Sequence, residues 1–143
     1  MLDSKSCANA IQNGADFLVS PGYSKQLLRY TVKKDILWIP GCMTPTELIQ
    51  AQNDDLTLIK LFPASSLGPS FLKSAREVFP ELIFMPTGGI DINDIKSWFD
   101  AGASAIGMGN SLISRKSMDS GDFESVRMKI SSLVKQIEAI RTF

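Results

Sequence analysis

The sequence predicts an α/β domain made of consecutive βα units with parallel strands. Three observations predict it: short apolar runs recur along the chain, longer amphipathic stretches lie between them, and turn residues separate the two. The strand candidates are 17–20, 36–39, 57–62, 82–85 and 105–108. With Phe17, Leu37, Leu58, Ile83 and Ala105 as markers, the spacings are 20, 21, 25 and 22 residues. Each interval holds one strand, a helix of about ten residues and two short loops.

Each element has a local reason. Gly14, followed by alanine, ends a first helix where a left-handed residue costs little, and the strand 17–20 follows. Ser24 precedes a helix over 25–32, and the strand 36–39 comes next. Thr44-Pro45-Thr46-Glu47 is a capping box with proline at the first helical position. After the strand 57–62, Pro69 opens a helix over 70–78. Beyond 82–85, Asp91 precedes a helix over 92–100 that Gly102 ends, and the strand 105–108 follows. Val126, Ile130, Leu133, Val134, Ile137 and Ile140 recur at helical spacing, which predicts a long docking helix. Consecutive right-handed βα units make either a doubly wound sheet or a (β/α)8 barrel, and the period does not choose between them. Five strands cannot close a barrel, which typically takes about 250 residues, so in that reading the chain is the C-terminal five units.

Composition bounds the function. The chain has 143 residues, 44% hydrophobic and 21% charged, with zero formal net charge, which predicts one soluble globular domain over 1–143. Balanced charge without a Lys/Arg-rich run leaves no electrostatic footprint for nucleic acid. No apolar run approaches the roughly 20 residues needed to cross a bilayer, so no membrane partner is expected. The N-terminus lacks an apolar export signal, and Cys7 and Cys42 are too few for a disulfide framework; together they predict a reducing cytoplasm. Neither cysteine is given a role, Cys7 being expected in helix packing and Cys42 in a loop. With no histidine, imidazole chemistry is excluded, and no metal site is expected.

One lysine interrupts the apolar strand Thr57-Leu58-Ile59-Lys60-Leu61-Phe62. Alternation places Leu58, Lys60 and Phe62 on one face. If that face lines a barrel, burial lowers the amine pKa and prepares it to attack a carbonyl as a Schiff-base nucleophile. The competing reading is a lysine that blocks an edge or extends to solvent. Pro86-Thr87-Gly88-Gly89 ends the next strand, where paired glycines let backbone amides approach an anion or simply make a tight turn. Gly107-Met108-Gly109-Asn110 repeats the theme one strand later. Two adjacent glycine-rich βα loops together favour a phosphate site. Ser20-Pro21-Gly22 and Ile39-Pro40-Gly41 read as turn punctuation. The Lys33-Lys34-Asp35 and Asn53-Asp54-Asp55 runs read as solvated helix ends, and Trp38 and Trp98 as packing residues.

These pieces, with Lys60-Leu61-Phe62-Pro63-Ala64 and Ser66-Leu67-Gly68-Pro69, stand in an order and spacing that resembles the 2-keto-3-deoxy-6-phosphogluconate aldolases, the KDPG/KHG aldolase family. The resemblance implies a (β/α)8 TIM barrel with these five strands as its fourth to eighth. It implies that Lys60 forms an imine with C2 of pyruvate, that Thr87, Gly88 and Gly89 hold the substrate phosphate with Gly109 and Asn110 as a second loop, and that Pro21 lines the pocket. The implied partners are a phosphorylated 2-keto-3-deoxy sugar acid and pyruvate, in a homotrimer with no cofactor.

Two departures from the family stand out. Serine is usual where this chain has Asn110, whose amide also donates a hydrogen bond. The family's proton-moving glutamate and its substrate-binding arginine would precede Met1, and Asp16 and Glu47, the nearest carboxylates, do not match that glutamate. The competing functions are a non-catalytic remnant or oligomerising module, and an aldolase for phosphogalactonate or 4-hydroxy-2-oxoglutarate.

Overall fold

The computed structural model describes residues 2–141. The helix ahead of Gly14 is α1 (Ser4–Gln12), capped by the Asp3 carboxylate, which accepts from the Ser6 N–H at 2.7 Å. There follow β1 (Phe17–Val19), α2 (Lys25–Lys34), β2 (Leu37–Ile39), β3 (Gly41–Cys42), α3 (Pro45–Asn53) and β4 (Leu58–Leu61). The chain continues through α4 (Ala64–Val78), β5 (Ile83–Pro86), a 3-10 turn (Ile92–Asp94), α5 (Ile95–Asp100), α6 (Arg115–Asp119) and α7 (Phe123–Arg141).

All strand pairs are parallel: β1 with β2, and β3 with β4 with β5. The second expected strand forms as β2, and the short strand β3, which was not expected, follows Pro40, which has no N–H to give the ladder. Its carbonyl still accepts from Lys60 N–H at 2.9 Å, which carries the sheet from β2 across to β4. The fifth expected strand is reduced to one parallel bridge between Thr87 and Gly107. Cys42 lies in β3 and is buried, not in a loop. The fourth helix starts at Ala64 rather than after Pro69, with a break at Gly68 (φ 76°) that glycine tolerates. The box at Thr44 forms, with Glu47 accepting from the Thr44 N–H at 2.9 Å.

The helices cover one sheet face. Ile59, Leu61 and Phe84 on that face join Leu48, Leu72, Trp98 and Leu133 in the main core. Cys7, Leu18, Leu27 and Trp38 form a smaller cluster at the β1 end, where the Trp38 indole N–H donates to Ser20 Oγ at 3.0 Å. Alternation sends Phe17, Leu37, Leu58 and Ile83 to the opposite face; Phe17, Leu37 and Ile83 are exposed there and Leu58 is half-buried.

Candidate active site

Lys60 is half-buried on the open face of β4, between the fully buried Ile59 and Leu61 of the helix-covered face. Its Nζ lies 4.4 Å from the centroid of the Phe62 ring, which stands on the same face two residues on. Partial burial holds the amine below the ordinary lysine value of 10.5. None of the ion pairs among the described residues involves Lys60, so no carboxylate restores the charged form.

The glycine-rich loops meet beyond the C-terminal ends of the strands. Thr87 N–H donates to Leu61 O at 2.9 Å and Gly107 N–H to Pro86 O at 2.9 Å, which puts the two loops side by side. At the start of α4, Ala64 N–H donates to Thr87 O and Ser65 N–H to Gly88 O. Pro63 gives α4 no side-chain cap, so loop carbonyls satisfy these first-turn donors and fix the loop in place. Gly88 has φ +94°, and a Cβ there would meet the Phe62 ring at 2.9 Å. Phe62 therefore touches both the lysine amine and the glycine loop.

The loops enclose a cavity of about 490 Å³ lined by Thr87, Gly88, Gly89, Ile90, Asp91, Gly107, Met108, Gly109, Asn110 and Ser111. Thus Thr87, Gly88, Gly89, Gly109 and Asn110 all line one cavity. Among the described residues, the backbone N–H groups of Gly88, Gly89, Gly109 and Asn110 donate to no backbone carbonyl. Lys60 and Pro21 do not line this cavity. Pro21 is exposed at the end of β1, with its carbonyl so close to Gly41 that a Cβ there would stand 2.1 Å from the oxygen. Gly41 is in turn the register partner of Lys60, so proline, glycine and lysine follow one another across adjacent strands.

Neither nearby carboxylate serves the amine. Asp16 is exposed ahead of β1, at the opposite end of the strands. Glu47 is occupied by the α3 cap, accepting from the N–H groups of Met43 and Thr44 and from Thr44 Oγ1. Sequence reasoning missed three residues. The Phe62 contact had a signal in the shared face of Lys60 and Phe62. Ser111, a second polar residue after Gly109, was also visible. Asp91 was read only as a helix start; its Oδ1 accepts from Asn93 N–H and Nδ2, yet the residue also lines the cavity. Among the described residues no group of three or more Cys, Asp or Glu is placed to hold a metal ion.

The family model for KDPG and KHG aldolase matches residues 1–129. A Pseudomonas aeruginosa relative named 2-dehydro-3-deoxy-phosphogluconate aldolase is 32% identical over 127 residues, covering 88% of this chain and 58% of its own length. An Escherichia coli K12 relative named 2-dehydro-3-deoxy-6-phosphogalactonate aldolase is 30% identical over 100 residues, covering 69% of this chain and 49% of its own. The crystal structure of the KDPG aldolase of Legionella pneumophila, with pyruvate captured as a covalent carbinolamine intermediate, superposes with a TM-score of 0.87 at 25% identity. That alignment covers 92% of this chain and 65% of the other. The chain therefore spans about half to two thirds of the length of these relatives.

Proposed function

The chain belongs to the KDPG and KHG aldolase family, and from that membership we propose that it supplies the imine-forming half of a class I aldolase acting on 2-keto-3-deoxy-6-phosphogluconate. Its 143 residues form one domain, strands four to eight of a (β/α)8 barrel. The observation that carries the proposal is the Lys60 amine: half-buried, below its ordinary pKa, unpaired with any described carboxylate, and packed through Phe62 against the glycine loop.

The neutral amine attacks the C2 ketone, and the resulting carbinolamine takes up a proton and loses water to give an iminium. The C4 hydroxyl then gives up its proton as the C3–C4 bond breaks, and that electron pair moves through C3 to the iminium nitrogen. Glyceraldehyde 3-phosphate leaves, C3 of the enamine is protonated, and water releases pyruvate and restores the amine. The N–H groups of Gly88, Gly89 and Gly109, the Asn110 amide and the Thr87 hydroxyl are the donors for the substrate phosphate. Pro21, outside the phosphate cavity, flanks the Lys60 side of the site through Gly41. The carbinolamine captured in the Legionella relative supports the covalent route.

Of the carboxylates singled out in the sequence, neither is placed to accept that proton. Glu47 is committed to the α3 cap and Asp16 lies at the wrong end of the strands. A positioned base is worth roughly 10² to 10⁴ in rate, so the isolated chain is expected to form the imine and turn over slowly. Incubation with pyruvate and borohydride, followed by peptide mapping, tests the proposal. A single reduced adduct on Lys60, absent in Lys60→Ala, is the expected result; a folded chain without an adduct overturns it. The galactonate-named relative favours a second substrate reading, which comparison of the two phosphorylated sugar acids as competitors of trapping resolves.

A further inference from the structure

We infer that Asp91 makes the glycine-rich cavity selective for an anion that carries a proton, so that a phosphoryl group enters as its monoanion with its O–H donating to the Asp91 carboxylate. The inference deepens the reading of that cavity as the phosphate site and rests on it. Among the described residues that line the cavity, Asp91 is the only ionisable one; no lysine or arginine stands with it. Its Oδ1 caps the 3-10 turn, accepting from Asn93 N–H at 2.9 Å and from Asn93 Nδ2 at 2.8 Å. Among the described residues no hydrogen bond or ion pair takes Oδ2. The carboxylate therefore keeps one charged acceptor to offer.

Around it stand donors. The N–H groups of Gly88, Gly89, Gly109 and Asn110 donate to no described backbone carbonyl, and the Ser111 hydroxyl lines the same cavity. A set of donors with one charged acceptor is the complement of an anion bearing one O–H. A fully deprotonated anion would set a lone pair against Oδ2, with no cation in the lining to offset the repulsion. A protonated one instead gives an O–H···O⁻ bond, short and about twice as strong as a neutral one. Sulfate has no proton to give near neutral pH, whereas inorganic phosphate keeps at least one and a phosphate monoester keeps one below its second pKa of about 6. The charged groups on the flanking elements leave this pairing alone. Asp94 lines a second cavity that shares Gly89 and Ile90, Lys96 pairs with Asp100, Arg115 pairs with Asp119, and Lys60 stands outside the lining.

The test reads anion binding from the amide resonances of Gly88, Gly89 and Gly109 in the full chain, titrated with inorganic phosphate or sulfate at about pH 6 and fixed ionic strength. The wild type should bind phosphate at least about tenfold more tightly than sulfate. Asparagine caps a helix as well as aspartate does, so Asp91→Asn keeps the turn and exchanges the charged acceptor for a neutral amide. Its sulfate affinity should rise until the preference vanishes. Asp91→Ser, which caps through a hydroxyl and brings no carboxylate, should lose the preference too. Glycerol 3-phosphate, a monoester, should lose affinity for the wild type as pH rises through about 6, and should not for Asp91→Asn. Equal affinities for the two anions in the wild type overturn the inference, as does a preference retained by either variant or a monoester affinity that the wild type keeps above that pH. If neither anion moves these amides, the phosphate reading falls with it; if both bind alike, that reading stands and only the role of Asp91 falls. The borohydride-trapped adduct on Lys60 tests the imine independently of both.

Discussion

Lys60 loses part of its hydration on the open face, and no described anion returns what is lost, so its amine deprotonates more readily than in the unfolded chain. Two pH effects follow with the same sign. Pyruvate trapping should accelerate as pH rises, with an inflection below 10.5, because only the neutral amine attacks. Between the folded and unfolded pKa values the unfolded chain binds more protons, so Lys60 makes stability rise with pH in that window. Urea midpoints of wild type and Lys60→Ala compared across those pH values would lose their expected divergence if the amine were fully hydrated. At Gly88, alanine brings a Cβ within 2.9 Å of the Phe62 ring at φ +94°, and that strain should cost about 1–3 kcal/mol. Inorganic phosphate should protect wild type against trapping and Gly88→Ala far less; equal protection places the anion elsewhere. The lysine and glycine loops were legible because each breaks a local pattern, a cation in an apolar strand and paired glycines at a strand end. The Phe62 bridge was not, because contact between a strand and a loop 26 residues later depends on how adjacent strands register.

At the scale of elements, α3 shows how much a short motif can specify. Pro45 starts the helix, Thr44 Oγ1 accepts from Glu47 N–H at 3.3 Å, and Glu47 returns the bond to Thr44 N–H. Thr44→Ala should cost about 1 kcal/mol of stability, measured by urea denaturation. Burial pushes the Glu47 carboxyl up, but bonds from Met43 and Thr44 outweigh it and hold the group below 4.5. Its contribution is present above the unfolded pKa and fades as pH falls through the folded value. Glu47→Gln should therefore flatten the acid limb of the stability profile; an unchanged limb would mean the cap is open in solution. The box was readable because all its partners are within four residues. The extra strand after Pro40 and the loss of the fifth were not, since periodicity reports which face a residue takes and not whether a neighbouring strand accepts its hydrogen bonds. The early start of α4 was hidden for the same reason, because the acceptors that satisfy its first N–H groups, Thr87 and Gly88, lie on another loop.

Across the whole molecule, packing is uneven in a way that sets the order of opening. The main cluster joins α3, β4, α4, β5, α5 and α7, with Leu48, Ile59, Leu61, Leu72 and Phe84 fully buried. The β1 end rests on the smaller cluster of Cys7, Leu18, Leu27 and Trp38, while β4 lies between two strands, β3 and β5, in the main cluster. Alternation along the strands made both faces readable, but which face the helices cover depends on how the βα units pack and not on the period. Local opening free energies follow buried contact and paired backbone, so β1 and the helices beside it should open well below the global unfolding free energy. The Tyr23 hydroxyl, which donates to Asp54, and the tilted Tyr23–Trp38 pair, 5.8 Å apart, are the links that resist this opening. Native-state hydrogen exchange should find the amides of β4 and β5 protected near the global limit and those of β1 exchanging far faster. Tyr23→Phe, which removes the bond to Asp54 and keeps the ring, should widen that gap. If β1 exchanged as slowly as β5, the two clusters would behave as one cooperative core.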